Sequence, residues 1–151
     1  MSRRTEYKVT ALKEGSVIDH LPPGSALKAL EVLGDMGGGV VTVGMFLESR
    51  KWDKKDIIKI EKKEHDEQEV AKVALLGPHT TISIIRDYRV VGKVPVKIPD
   101  EIAGVVRCPN PSCITNHDPV ETHFRVEKKL PLRVRCHYCE RVVVKDELEL
   151  I

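Results

Sequence analysis

The chain has 151 residues, 41% of them hydrophobic and 32% charged, with a formal net charge of +2. That length holds one domain or two small ones, and no run of about 18 apolar residues marks a membrane-spanning helix. Lys and Arg number 17 against 15 acids over residues 1–100 and 8 against 8 over residues 101–151, so neither half carries the basic excess of a nucleic-acid-wrapping protein.

From the N-terminus, MSRRTEYKVTALKEG lacks the apolar middle of a secretory signal, and the expectation is a cytoplasmic protein. Residues 6–15, EYKVTALKEG, read as a strand ending in a turn at Gly15. PPGSALKALEVLG reads as a helix with Ser25 as N-cap, Ala26, Leu27, Leu30 and Leu33 as its apolar stripe, and Gly34 as its stop. VVTVGMFL and KKDIIKIEKKE read as strands. Asp66 caps a second helix, DEQEVAKVALLG, with Val70, Val73, Ala74 and Leu76 facing inward and Gly77 and Pro78 ending it. TTISIIRD and YRVVGKV are β-rich runs joined by a tight turn.

Strand, helix, strand, strand, helix, strand is the split βαβ order, a ferredoxin-like α+β plan with one short strand added. Two helices cover one sheet face. Period-two alternation puts Ile58 and Ile60 on one face with Ile57, Lys59 and Glu61 on the other, and sets Ile82 and Ile84 opposite Ser83 and Ile85. The mixed second face is a binding surface, a subunit interface or ordinary solvated sheet. Pro95 and Pro99 in VGKVPVKIPDEIAG suit a linker, and all four cysteines follow residue 107. The expected division is therefore residues 1–99 and residues 100–151.

In the second segment, Cys108 and Cys113 have four residues between them, Cys136 and Cys139 have two, and 22 separate the pairs. Two turns each presenting two thiolates make a closed tetrahedral zinc site, and THFRVEKKLPLRVR supplies strands between them, so a small all-β zinc-binding domain is expected. About 50 residues bury little apolar area, and metal binding would supply much of their folding energy. Disulfides are disfavoured in a cytosolic chain, and the spacing is not a usual ferredoxin run. His117, His123 and His137 are not needed as ligands. With few aromatics (Phe124, Tyr138) and balanced charge, the module reads as a protein-docking unit and not as a nucleic-acid reader.

No catalytic constellation appears in the first segment. Asp19 and His20 are adjacent, so in an extended segment their side chains diverge instead of forming a dyad. Lys55, Lys59 and Lys93 would bracket a polyphosphate if their strands were neighbours; otherwise they are solvated lysines. GDMGGGVVTVG does not lie between a strand and a helix, so it is not a dinucleotide fingerprint.

GSVIDHLPPG, KKDIIKIE, YRVVGK, CPNPSCITNHDPV and RVRCHYCE, occurring in this order, resemble the aspartate carbamoyltransferase regulatory chain family along nearly the whole chain. The resemblance implies a non-catalytic subunit of pyrimidine biosynthesis. Its N-terminal domain would bind the effectors ATP, which activates, CTP, which inhibits, and UTP, which acts alongside CTP. Its zinc domain would dock on catalytic chains. Regulatory chains would pair as homodimers through their N-terminal domains, in a holoenzyme of two catalytic trimers and three regulatory dimers. No nucleic acid or membrane partner is implied. Carried over residue by residue, Val9, Thr10, Ala11 and Leu12 would read the base, with Val17 beside them. Asp19 would bond the ribose or base side and His20 would approach the phosphates. Lys55 and Lys59 would lie near base and ribose, Ile85, Tyr88 and Val90 would line base and sugar, and Lys93 would hold the triphosphate. Thr10 stands where the best-known members have an acid and Ser83 where they have asparagine.

Overall fold

The computed structural model describes residues 11–51 and 53–151. The chain forms two compact units that meet between Val96 and Lys97.

The first unit holds β1 (Gly15–Leu21), α1 (Ala26–Leu33), β2 (Val41–Ser49), β3 (Asp53–Glu61), α2 (Glu67–Leu76), β4 (Thr81–Arg86) and β5 (Arg89–Val94). The strands form one antiparallel sheet in the order β2-β3-β1-β4-β5, a ferredoxin-like βαββαβ fold with β5 as a hairpin extension. One face packs on the helices. Ile18, Ile58, Ile60 and Ile82 from the sheet meet Ala26, Ala29, Leu33 and Val73 from the helices in a buried cluster. The alternation of β3 that puts Ile58 and Ile60 inward is the same one that turns Lys59 away from them.

Three local readings change. The first described strand is GSVIDHL itself; Ala11–Glu14 are not strand, and the rest of the expected first strand lies outside the described residues. Gly15 opens β1, paired with Glu61, and only glycine fits there: its φ is 142° and a Cβ would run into the Ile60 carbonyl oxygen. In α1, Leu27 is 65% exposed and Ala29 is buried. Positions 26, 29, 30 and 33 follow the helical repeat, and Leu27 sits a third of a turn off that stripe. Ser25 precedes α1 but makes no side-chain cap; its hydroxyl donates to the Pro22 carbonyl at 2.7 Å. The first helical N–H, that of Ala26, is instead accepted by Asp56 Oδ2 at 2.9 Å. In α2 the expected cap forms as a complete capping box: Asp66 accepts from the Glu69 N–H and Glu69 reaches back to the Asp66 N–H.

The second unit is all-β apart from two single-turn 3-10 segments at Ile114–Asn116 and Lys145–Glu147. Its strands are β6 (Glu101–Ala103), β7 (Val106–Arg107), β8 (His123–Lys129), β9 (Leu132–Cys136), β10 (Val142–Val144) and β11 (Glu149–Leu150). They form a four-stranded sheet, β10-β9-β8-β6, and a separate β11-β7 pair. Phe124, Ile102, Val105, Val106, Val134 and Val143 form its small buried interior.

Candidate functional site

The sheet register assembles one row of side chains on the face away from the helices. Val17 of β1 pairs with Lys59 of β3 and with Ser83 of β4, and Ser83 pairs with Lys93 of β5. Directly paired residues share a face, so Lys59, Val17, Ser83 and Lys93 lie side by side across four strands. Gly15, Ile85 and Val90 form a neighbouring row. Two residues along β1 from Val17, Asp19 pairs with Thr81. Tyr88 sits in the β4–β5 turn with a φ of 65°, mostly exposed, and its N–H donates to the Lys13 carbonyl. Ala11 is exposed and Leu12 half-buried in the segment leading into β1; Val9 and Thr10 lie outside the described residues.

Asp19 and His20 do not diverge. A bulge interrupts the β1–β3 register between Ile18 and Leu21, and His20 adopts a φ of 61°. The His20 N–H folds back onto Asp19 Oδ1 at 2.6 Å, which leaves the ring Nδ1 4.0 Å from the same oxygen and 3.2 Å from Thr81 Oγ1. The carboxylate itself is held by Lys55 Nζ at 2.9 and 3.1 Å. The face thus carries Lys55, Lys59, Lys93 and an imidazole with Asp19 among them, and Glu61 at the far end of β3 beside Gly15. Burial lowers the Lys59 ammonium below the ordinary lysine value, and the nearby Asp19 carboxylate opposes that shift. A cationic face of this kind, with Lys55 and Lys59 half-buried and Lys93 exposed, suits a polyanion of extended shape.

Two networks that sequence reasoning missed support this face from behind. Asp56 is fully buried on β3, next to Lys55 and pointing the other way. Its Oδ2 accepts from the Ala26 N–H and its Oδ1 from the Phe46 N–H, both at 2.9 Å. An acid directly before IIKI in a strand was the available signal, since strands are depleted in aspartate. Ser16, also fully buried, meets His65 Nε2 at 2.9 Å, and His65 Nδ1 lies 3.3 Å from Glu69. Burial lowers the His65 imidazole below the usual value, while its contact with Glu69 pulls the other way.

In the second unit, all four cysteine sulfurs lie within 4.8 Å of one another, and Cys108, Cys113 and Cys136 are buried. The Cys108–Cys139 and Cys113–Cys136 separations are 3.6 and 3.7 Å. A disulfide would need about 2 Å. Four sulfurs at about 2.3 Å from a tetrahedral ion would stand about 3.8 Å apart, so the spacing fits a metal. Burial pushes the Cys108 thiol up to about 12 and raises Cys136 as well. Burial also raises Cys139, but hydrogen bonding to Asn110, to the Arg141 backbone and to its neighbouring thiols outweighs it and brings Cys139 to about 7. Buried thiols that resist ionisation are stabilised as thiolates by a cation bound between them. Asn116 ties the first cysteine turn together by donating to the Cys108 and Asn110 carbonyls.

A ferredoxin-like sheet with a cationic uncovered face, followed by a β module closed by four thiols, defines a two-domain metal-binding protein. Residues 7–97 match the family model for the aspartate carbamoyltransferase regulatory chain, allosteric domain, and residues 100–149 match that for its metal binding domain. The aspartate carbamoyltransferase regulatory chain of Pyrococcus abyssi is 51% identical over 146 residues, covering 95% of this chain and 96% of that one. That of Thermococcus onnurineus is 50% identical over 145 residues, with the same coverage. That of Methanothermobacter thermautotrophicus is 44% identical over 151 residues, covering 99% and 97%. The chain belongs to the aspartate carbamoyltransferase regulatory chain family, and is therefore a non-catalytic, regulatory chain of pyrimidine biosynthesis. No helix among the described residues is long and apolar enough to cross a membrane.

Proposed function

We propose that this chain is a cytoplasmic allosteric subunit that binds ATP, CTP and, alongside CTP, UTP on the uncovered sheet face, and that transmits their effect to aspartate carbamoyltransferase catalytic chains. The observation carrying the reading is the Lys59–Val17–Ser83–Lys93 row flanked by the Asp19–Lys55 pair and His20. Lys93 and His20 would take the triphosphate. Lys55, Lys59 and Asp19 would meet base and ribose, with Ile85, Val90 and Tyr88 lining them and the backbone of residues 9–12 reading the base edge. Ser83 offers a shorter polar group than asparagine there, so its contact with the ligand would be shorter in reach.

Nucleotides shift an equilibrium only by binding its two states with different affinity. Residues 1–99 would form the effector and dimerisation domain. The outermost strand β2, with exposed Val43 and Phe46, supports pairing of two such domains, because an open strand edge is a template for another chain. Residues 100–151 would hold one zinc ion through Cys108, Cys113, Cys136 and Cys139 and dock on a catalytic chain. Four thiolates leave no open position, so the ion would supply shape and no chemistry. Two catalytic trimers with three regulatory dimers would complete the assembly.

The test mixes the chain with catalytic chains and measures aspartate saturation while ATP, CTP and UTP are varied. Curves that move in opposite directions with ATP and CTP support the reading. Superimposable curves in every mixture, with the complex verified by mass, refute it.

A further inference from the structure

Behind the uncovered face, one chain of side chains ties β1 to the start of α2. Ser16 lies between Gly15 and Val17, two of the residues that β1 contributes to that face, and its own side chain turns the other way and is fully buried. Its Oγ stands 2.9 Å from His65 Nε2. The His65 ring has no exposed surface, and its Nδ1 stands 3.3 Å from Glu69 Oε2, which also takes Lys63 Nζ at 3.2 Å. The other Glu69 oxygen accepts the Asp66 N–H and closes the capping box of α2.

The proton positions follow from these partners. An ionised Glu69 only accepts, so a neutral ring carries its proton on Nδ1 and leaves Nε2 to accept the Ser16 O–H. Every group is then satisfied. A protonated ring donates from both nitrogens, and the Ser16 proton is turned out of its bond. Among the described residues that hydroxyl has no other hydrogen-bond partner, so its proton is left buried and unpaired. The charged groups facing the ring are Glu69 and the N-cap Asp66, which favour protonation, and Lys63, which opposes it; β1 brings the uncharged Ser16. Burial outweighs the two acids and holds the imidazole below its usual value.

We propose that His65 is a proton-responsive positioning residue for the effector face. With the ring neutral, Ser16 is pinned to the start of α2 and Val17 is held in line with Lys59 and Ser83. With the ring protonated the pin is lost, β1 loosens between Gly15 and Val17, and the face binds its anion less tightly. The neutral ring holds the face, so affinity is full above the ordinary histidine range and falls as pH drops through the folded value. The ligand is the one that the effector reading assigns to this face; the switch itself rests on the Ser16–His65–Glu69 contacts.

The experiment is NMR on the full metal-loaded chain from pH 7.5 to pH 5, following the His65 ring nitrogens and the backbone amides without nucleotide. Calorimetry with CTP at both ends of that range completes it. The ring should carry its proton on Nδ1 at pH 7.5, titrate below an unperturbed histidine, and move the Ser16, Val17, Lys59 and Ser83 amides with its own midpoint. Ser16→Ala, which keeps the ring and removes the hydroxyl, should leave the face amides indifferent to the ring. From pH 7.5 to pH 5, CTP affinity should fall about three- to tenfold further in the unmodified chain than in His65→Gln, the net worth of one hydrogen bond. His20 and the CTP phosphates titrate in both proteins, so their effect cancels in that comparison. The proposal is overturned by a proton on Nε2 at pH 7.5, by a ring still neutral at pH 5, by face amides that do not follow the ring, or by equal affinity losses in the two proteins. A chain that binds no CTP at pH 7.5 refutes the effector reading and the affinity change with it, while the ring and the amides decide separately whether His65 positions the face.

Discussion

Replacing Asp56 should cost the N-terminal unit more than replacing any lysine of the sheet face. The carboxylate is fully buried and accepts from two backbone N–H groups, at the first turn of α1 and at the β2 bulge. Asp56→Ala leaves both donors without an acceptor, at about 1–3 kcal/mol each. It also removes a negative charge from a helix N-terminus, worth about 0.3–1 kcal/mol. Relief of the buried charge's desolvation offsets part of this, leaving a net loss of about 2–5 kcal/mol. For a domain of this size each kcal/mol lowers Tm by roughly 4–8 °C, so a fall of some 10–30 °C is expected, on the order of half the stability of a typical domain. Asp56→Asn keeps one acceptor oxygen but turns an NH₂ toward the other N–H, and should fall between the two proteins. The helical far-UV circular dichroism signal isolates this unit, since α1 and α2 both lie within it. A loss below about 0.5 kcal/mol for Asp56→Ala, the size of an ordinary surface substitution, would refute the capping role.

Metal removal should act on the other unit. Chelation should release a single equivalent of zinc and abolish the β8–β9 amide signals while the helical signal persists, because the apolar interior of residues 97–151 is only a handful of side chains; Cys136→Ser should do the same without chelator. On the effector face, Lys93→Ala should weaken CTP binding by about 10- to 100-fold in calorimetry, the loss of one charge-assisted phosphate contact, with unfolding changed by less than about 0.5 kcal/mol. The His65 side chain has no exposed surface and burial lowers its pKa, so the unfolded chain takes up its proton first as pH falls. Its contribution is fully present above the unfolded value, about 6.5, and is lost as pH falls through the folded value. Urea midpoints should therefore decline from pH 7 to pH 5, and more gently in His65→Gln.

The succession of strands and helices along the chain and the four-cysteine cluster were legible because each rests on local pattern. Alternation in KDIIKIE separated Lys59 from Ile58 and Ile60, and the capping box of α2 is written in four consecutive residues, Asp66 to Glu69. What was not legible depends on partners distant in sequence. Ser25 is the residue type that caps helices, yet the cap comes from Asp56, thirty residues on, and no local rule selects between them. The register that aligns Val17 with Lys59 and Ser83, and Ser83 with Lys93, depends on which strands meet, and that is a contact between segments distant in sequence. For the same reason Asp19 and His20, separated by simple alternation, are brought back together by a single residue of positive φ.

Consecutive residues of β3 link the sheet face to the edge of the domain. Lys55 points to the uncovered face and grips both oxygens of Asp19, whose Oδ1 also accepts the His20 N–H in the β1 bulge. Asp56 points to the core and holds the Phe46 N–H in the β2 bulge together with the start of α1. Both bulges break the ladder beside this same pair: Leu21 is registered with Asp56, and Leu47 with Lys55. A bulge leaves one N–H of the ladder unpaired, and here each such N–H is satisfied by an aspartate, Asp19 on one side and Asp56 on the other. His20 and Phe46 are also held at φ values of 61° and 57°, a region costly for non-glycine residues. An anion that competes with Asp19 for Lys55 therefore acts on a strand whose next residue fixes both the outer strand β2 and helix α1. No flexible loop intervenes to absorb the change. Coupling requires, in addition, two arrangements with different affinity for the ligand.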